Sequence, residues 1–395
     1  MKPAFGFKAL FAGIAAAAVG LASFAPAPAR AVPPPISSHA AASSVIDVKS
    51  GRIVFQENGD ERMRIASLTK VMTAIVAIEN AELTEIVKVG PGAYGKEGSS
   101  IYLHLGEEMT LHNMLYGLML RSGNDAATAI AEHVGGSLEG FVFLMNEKAR
   151  ELGMKNSSFK NPHGLDEEGH YSSANDMAVL SAYALRNPTF QEIVKTKVKK
   201  APNPNEEWDY RWTNKNKMLS MYEGADGVKT GYTTLARRTL ISSATRGGQQ
   251  FAVVTLNDGD DWNDHKRLLD YAFQYYPSTQ IVRSGERVEG PNLVVARSFE
   301  YPLAEGEAAE LRKRVVLEDE TTTGYRLGER GKLELYLKGQ RIASLPLYED
   351  GSTRFKVQEQ TTFRFTKYEE RQAAGFGDIF RSMLRVLFTG ESKEG

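Results

Sequence analysis

Apolar and polar positions divide the chain into segments of different period. Residues 43–48 and 53–55 read as two strands around the turn Lys49-Ser50-Gly51-Arg52, a β-hairpin. The breaker-free run Thr-Ala-Ile-Val-Ala-Ile at 73–78 predicts a helix starting near Ala66. From there to about Leu185 the pattern reads mostly helical, with apolar residues three and four apart over 111–120, 125–134 and 140–152. Residues 156–171 are loop-like. Residues 227–232, 238–243 and 251–256 then suit consecutive antiparallel strands, and a helix over 265–275 closes the unit. Strand, helices, strands and a closing helix predict an α+β layout whose sheet draws on both ends of the domain.

The texture changes after about Gln280. Leu333, Leu335 and Leu337 alternate with Lys332, Glu334 and Tyr336, which predicts a small all-β domain. In the tail, Phe376, Ile379, Phe380, Met383, Leu384, Leu387 and Phe388 make an apolar helical stripe opposite Asp378, Arg381, Ser382 and Arg385. Such a helix is too short to span a bilayer and suits lying in its interface. At the other end, Lys2 and Lys8 precede an apolar run over 9–24, and Ala29-Arg30-Ala31 supplies small residues at A-x-A spacing. This is the layout of a secretory signal peptide. The expected organisation is a signal over 1–31, a catalytic domain over 32–278, a β-rich domain over 279–372 and an amphipathic tail over 373–395. The expected location is the outer face of the cytoplasmic membrane, peripherally attached.

Composition narrows the chemistry. The 395 residues contain no cysteine, which excludes a disulfide framework, Cys-ligated zinc and a thiol nucleophile. Forty-eight basic residues face 49 acidic ones, so there is no bulk basic field and nucleic acid is not an expected partner. Removing Lys2, Lys8 and Arg30 with the signal leaves 45 basic residues and a charge of −4, so the tail must attach mainly through its apolar face. None of the seven histidines forms H-E-x-x-H, and no metal or cofactor is expected. His163 reads as a structural hydrogen-bonding residue in a Pro-Gly loop, and Lys195, Lys197, Lys199 and Lys200 as a solvated face.

Three short patterns carry reactive groups. Ser67-Leu68-Thr69-Lys70 places a hydroxyl and an amine on one helix face, where a lysine of lowered pKa can activate the serine. Ser122-Gly123-Asn124 lies in a break between two predicted helices, where a hydroxyl and an amide can bridge protons and hold a substrate backbone. Lys229-Thr230-Gly231 lies on a predicted strand, with donors suited to a carboxylate and a glycine that admits close approach. Each pattern alone is common. In this order, on these kinds of element, they form one specific signature.

The chain resembles the low-molecular-mass penicillin-binding proteins, the serine-type D-alanyl-D-alanine carboxypeptidases, from about Ala42 to Tyr276. The resemblance extends to the context of each motif, at 66–73, 121–126, 161–166 and 226–231. It implies a penicillin-binding/serine β-lactamase-like transpeptidase fold, followed by the small all-β domain and the amphipathic helix. It also implies acylation of Ser67 by the peptide bond between two terminal D-alanines of a peptidoglycan stem peptide, and acylation by β-lactam antibiotics. By the same resemblance Lys70 is the general base, Ser122 relays a proton to the leaving amine, and Asn124 orients Lys70 and the substrate amide. Lys229 and Thr230 bind the terminal carboxylate beside Gly231, and the N–H groups of Ser67 and Tyr232 form the oxyanion hole. Tyr232 departs from the histidine many members carry there; backbone donation survives that change. No E-x-x-L-N glutamate follows Ser122, so slow release of acylated penicillin is expected rather than β-lactamase activity. Endopeptidase action at the same site stays open, as does a non-catalytic wall-binding role. Residues 95–103 and 257–265 resemble carboxypeptidases of Gram-positive spore formers, which suggests a spore-cortex role.

Overall fold

The computed structural model describes residues 33–288 and 292–352. The signal segment over 1–31 and the amphipathic tail over 373–395 lie outside the described residues. The described residues divide into two compact units, one comprising 33–281 and Phe299–Leu311, the other Val282–Ser298 and 312–352.

In the first unit, strands β1 (Ala40–Asp47) and β2 (Ile53–Glu57) form the expected hairpin, and α1 (Thr69–Asn80) follows a 3₁₀ turn over Ala66–Leu68. A short ribbon of β3 (Ile86–Lys88) and β4 (Glu108–Thr110) interrupts the stretch whose spacing reads as helical. Next come α2 (Leu111–Arg121), α3 (Asn124–Gly135), α4 (Leu138–Glu151), α5 (Ala174–Ala184) and α6 (Pro188–Lys195). The hairpin of β5 (Val198–Ala201) and β6 (Tyr210–Thr213) precedes α7 (Met218–Met221). The chain then makes β7 (Ala225–Thr233), β8 (Arg237–Arg246), β9 (Gln249–Asp258) and α8 (Asp261–Tyr275).

The central sheet is antiparallel, in the order β2-β1-β9-β8-β7, so the N-terminal hairpin joins three C-terminal strands as the pattern predicts. Both faces are covered. Ala42 and Ile46 of β1, with Ala252, Val254 and Leu256 of β9, enter the large helical core. Their neighbours Val45, Phe251 and Val253 face the other way, onto Leu268, Leu269 and Ala272 of α8. Helix α1 lies inside the helical core, with every residue from Thr69 to Ala77 buried, and a helix enclosed on all sides needs no polar face. That places its first turn, and the serine before it, beside β7, the edge of the sheet.

In the Lys195–Lys200 run, Lys195, Lys197 and Lys200 are exposed as expected and Lys199 is half-buried. The run spans the end of α6 and β5, and the Lys199 amine sits over the Tyr116 ring at 4.3 Å. In the second unit, a four-stranded sheet buries Leu333, Leu335 and Leu337 on one face of Glu329–Leu337, opposite Leu345 and Leu347.

Candidate active site

The turn before α1 presents Ser67. Ala66 holds a left-handed φ of +46°, an unfavourable conformation for a residue with a Cβ. Three contacts fix it. Thr69 Oγ1 donates to Ala66 O at 2.9 Å, and His170 Nε2 lies 2.8 Å from Thr69 Oγ1. His170 Nδ1 accepts from Lys160 N at 3.1 Å, which puts the ring proton on Nε2 and makes Nε2 the donor to Thr69. Burial pushes His170 down to about 4, so the ring is neutral at pH 7. Gly164, with φ +84°, approaches so closely that a Cβ there would stand 1.9 Å from Ala66 O.

One turn on, the fully buried Lys70 amine has three partners: Ser67 Oγ at 3.0 Å, Asn124 Oδ1 at 2.7 Å and His163 O at 2.6 Å. Burial, then the charges of Lys229 and Lys215, hold this amine well below the ordinary lysine range, with Asp125 opposing. A neutral amine has two N–H donors and one lone pair. In that form, with the carbonyls of Asn124 and His163 accepting both N–H bonds, the lone pair faces the Ser67 hydroxyl.

Ser122 ends α2 in the left-handed conformation, φ +65°, and Gly123 and Asn124 start α3. Among the described residues the Ser122 hydroxyl makes no hydrogen bond to Ser67 or Lys70; its place in the break puts it next to the Asn124–Lys70 contact. Asn124 Nδ2 donates to Glu97 O at 2.7 Å, so its amide is held from both ends. The Asp125 carboxylate ties Ser100, Ile101 and Leu103 to the start of α3.

On the opposite wall, β7 has β8 on one side only. A Cβ on Gly231 would fall 2.4 Å from Thr239 Oγ1 and 3.1 Å from Ser67 N; glycine is what lets the edge strand meet the serine backbone. Lys229 is buried and donates to Thr230 O at 2.8 Å. Burial and the Lys215 charge push it down to about 7. Thr230 is half-buried and the Tyr232 ring is exposed. Just upstream, the buried Asp226 accepts from Thr245 at 2.6 Å and Gln250 at 2.8 Å, and also from Ser243, which pins the strand.

The structure thus joins Ser67, Lys70 and Asn124 directly and sets the Lys229–Tyr232 edge against them. It adds groups that the sequence reading missed. The His163 contribution is its backbone carbonyl, while its ring is pushed down to about 3 by burial and nearby cations. Lys215, bonded to Ser99 Oγ at 3.2 Å, supplies a third amine to the field. His170 acts on Ser67 only through Thr69 and Ala66. His170→Ala is therefore expected to slow acylation about tenfold or more with little change in KM, through misplacement of the nucleophile. His170→Gln, which can still donate, should recover part of the rate. Stopped-flow acylation by a fluorescent penicillin checks this; a change in KM alone would contradict it.

An antiparallel sheet flanked by helices, with a serine, a buried amine and a cationic strand edge converging, defines the class of serine acyl-enzyme hydrolases with the penicillin-binding fold. Residues 28–260 match the D-alanyl-D-alanine carboxypeptidase family. The chain is 34% identical to the D-alanyl-D-alanine carboxypeptidase DacF of Bacillus subtilis, over 78% of this chain and 85% of that one. It is 32% identical to DacC of Escherichia coli, over 86% and 91%. Among solved structures, penicillin-binding protein 5 from Haemophilus influenzae superposes with a TM-score of 0.66 at 28% identity, covering 80% of this chain and 98% of that one. The chain belongs to the D-alanyl-D-alanine carboxypeptidase family.

Proposed function

We propose that Ser67 removes the terminal D-alanine from peptidoglycan stem pentapeptides through an acyl-enzyme. The hydrogen-bonded cluster of Ser67, Lys70 and Asn124, set against the edge strand, carries this reading. Lys70 takes the Ser67 proton as Oγ attacks the carbonyl carbon of the penultimate D-alanine. The oxygen gains negative charge facing the N–H groups of Ser67 and Tyr232. When the intermediate collapses, the C–N bond breaks, and the proton on Lys70 passes through Ser122 to the leaving amine. Water then attacks the ester, gives a proton back through Lys70, and releases the shortened peptide. Asn124 orients Lys70 and the substrate amide. Lys229 and Thr230 hold the terminal carboxylate, and Gly231 keeps their strand close. A β-lactam enters by the same attack as a covalent inhibitor.

Residues 1–31 are read as an export signal, 32–278 as the catalytic domain, 279–372 as the β-rich domain and 373–395 as a tail that lies on the outer face of the cytoplasmic membrane. No helix among the described residues is long and apolar enough to cross a membrane. Relatives from Bacillus and Escherichia stand at nearly equal identity, so the similarity does not favour a spore-cortex role over general wall maturation.

Release of D-alanine from a purified pentapeptide muropeptide, followed against pH, tests the proposal. Carboxylate binding needs Lys229 protonated, and its free-site value is about 7. The rate constant kcat/KM should therefore fall as pH rises through about 7, and the limb in kcat should lie higher, because the bound carboxylate favours the charged amine. Lys229→Arg keeps its charge and should abolish the alkaline limb. An unaltered limb in that variant, or no D-alanine from the wild type, would sink the reading.

A further inference from the structure

Outside the Ser67 cluster, the first unit carries an open cleft of about 550 Å³. It lies between residues 100–104, Arg121 and the β5–β6 hairpin with its connecting loop. It contains none of the residues assigned to catalysis, yet it shares their supports. Asn124 N donates to Ser99 O at 2.6 Å, the Asp125 carboxylate accepts from Ser100 Oγ at 2.6 Å, and Arg121 directly precedes Ser122. The cleft therefore borders the Ser99 and Ser122 side of the active site.

The cleft is preformed. Buried Glu107 accepts from Tyr210 Oη at 3.0 Å and Asn205 Nδ2 at 2.8 Å, which ties the hairpin to the segment after Tyr102. The Tyr210 and Trp212 rings stack at 5.3 Å. Two large aromatic rings on its walls are left in water: Tyr102 is 80% exposed and Trp208 66%. Tyr102 also sits at φ +64°, held there by its N–H bond to Ser100 Oγ at 2.8 Å. Keeping an aromatic residue both strained and exposed is a cost to the fold that a ligand contact can offset. The charged groups balance, with Arg121 and Arg211 against Glu206 and Asp209. An anionic polymer gains nothing from such a rim. A neutral ligand rich in hydroxyl and amide groups can bond to both signs while its apolar ring face covers an aromatic ring.

The geometry points to a glycan subsite that binds the N-acetylated amino sugars of peptidoglycan, with Tyr102 and Trp208 as stacking platforms. This rests on the peptidoglycan substrate proposed above. The enzyme then acts preferentially on stem peptides still attached to sugar, either on the strand being cut or on its neighbour.

Two measurements on the full chain test it. The first compares kcat/KM for a short peptide ending in D-Ala-D-Ala with that for a disaccharide pentapeptide, in the wild type, Trp208→Ala and Tyr102→Ala. The wild type should prefer the disaccharide substrate, and each variant should lose about tenfold on it, the scale of one aromatic anchor, with the short peptide unchanged within about twofold. The second follows binding of a peptide-free N-acetylglucosamine tetramer by saturation-transfer NMR. Binding that weakens in both variants identifies sugar on a neighbouring strand as sufficient; a disaccharide preference without tetramer binding identifies the substrate's own strand. The absence of both a disaccharide preference and tetramer binding in the wild type would overturn the subsite, as would an equal loss on both substrates in the variants. A chain that releases no D-alanine but binds the tetramer would refute the carboxypeptidase proposal and keep the subsite.

Discussion

Lys70→Met is expected to slow acylation by a fluorescent penicillin about 10²–10⁴-fold, the range attributed to a positioned general base, while the protein stays folded. Methionine has nearly the volume of lysine and no charge to desolvate. The substitution leaves Asn124 Oδ1 and His163 O without a buried donor, at about 1–3 kcal/mol for each carbonyl, and it removes the penalty for enclosing an amine. These effects oppose each other, so thermal unfolding should move far less than the rate. Lys70→Arg should be equally slow, because a guanidinium cannot give up its proton to become a base. Wild-type acylation in either variant would remove Lys70 from the mechanism.

Gly164→Ala should damage both stability and acylation. The backbone at φ +84° already disfavours alanine, and the added methyl would meet Ala66 O at 1.9 Å and Thr69 Oγ1 at 2.8 Å. Ala66 O is backbone and cannot swing aside. It can retreat only by moving the turn that holds Ser67. A loss of about 3–5 kcal/mol is expected in denaturant unfolding, at the upper end for single substitutions. The folded fraction should also acylate more slowly. A variant as stable as the wild type would show that the turn is not held against residues 161–164.

The contrast between these two positions shows what local sequence can carry. Ser67 and Lys70 are three residues apart and announce themselves through helix geometry, as do Ser122 and Asn124 at a helix break and Lys229–Gly231 on a strand. The groups that tune them do not. The His163 carbonyl reaches Lys70 across 93 residues of chain, and backbone oxygen carries no residue-type signal. His170 works through two intermediaries, and Lys215 reads as one more surface lysine until the fold brings its amine to Ser99 Oγ. The central sheet is legible because β1, β8 and β9 are long and each carries a short apolar run, Val45-Ile46, Leu240-Ile241 and Phe251-Ala252-Val253-Val254, set off by turns. The β3–β4 ribbon is only three residues per strand, so the helical spacing on either side hides it. The β5–β6 hairpin is short and polar, and Lys199 looks like part of a solvated face until its amine meets the Tyr116 ring.

Mass mapping of the chain after exposure to penicillin tests the central claim most directly. One β-lactam per chain, carried on the peptide containing Ser67 and absent from a folded Ser67→Ala variant, is the predicted result. A folded chain that takes up no adduct, or carries it on another residue, would contradict the account.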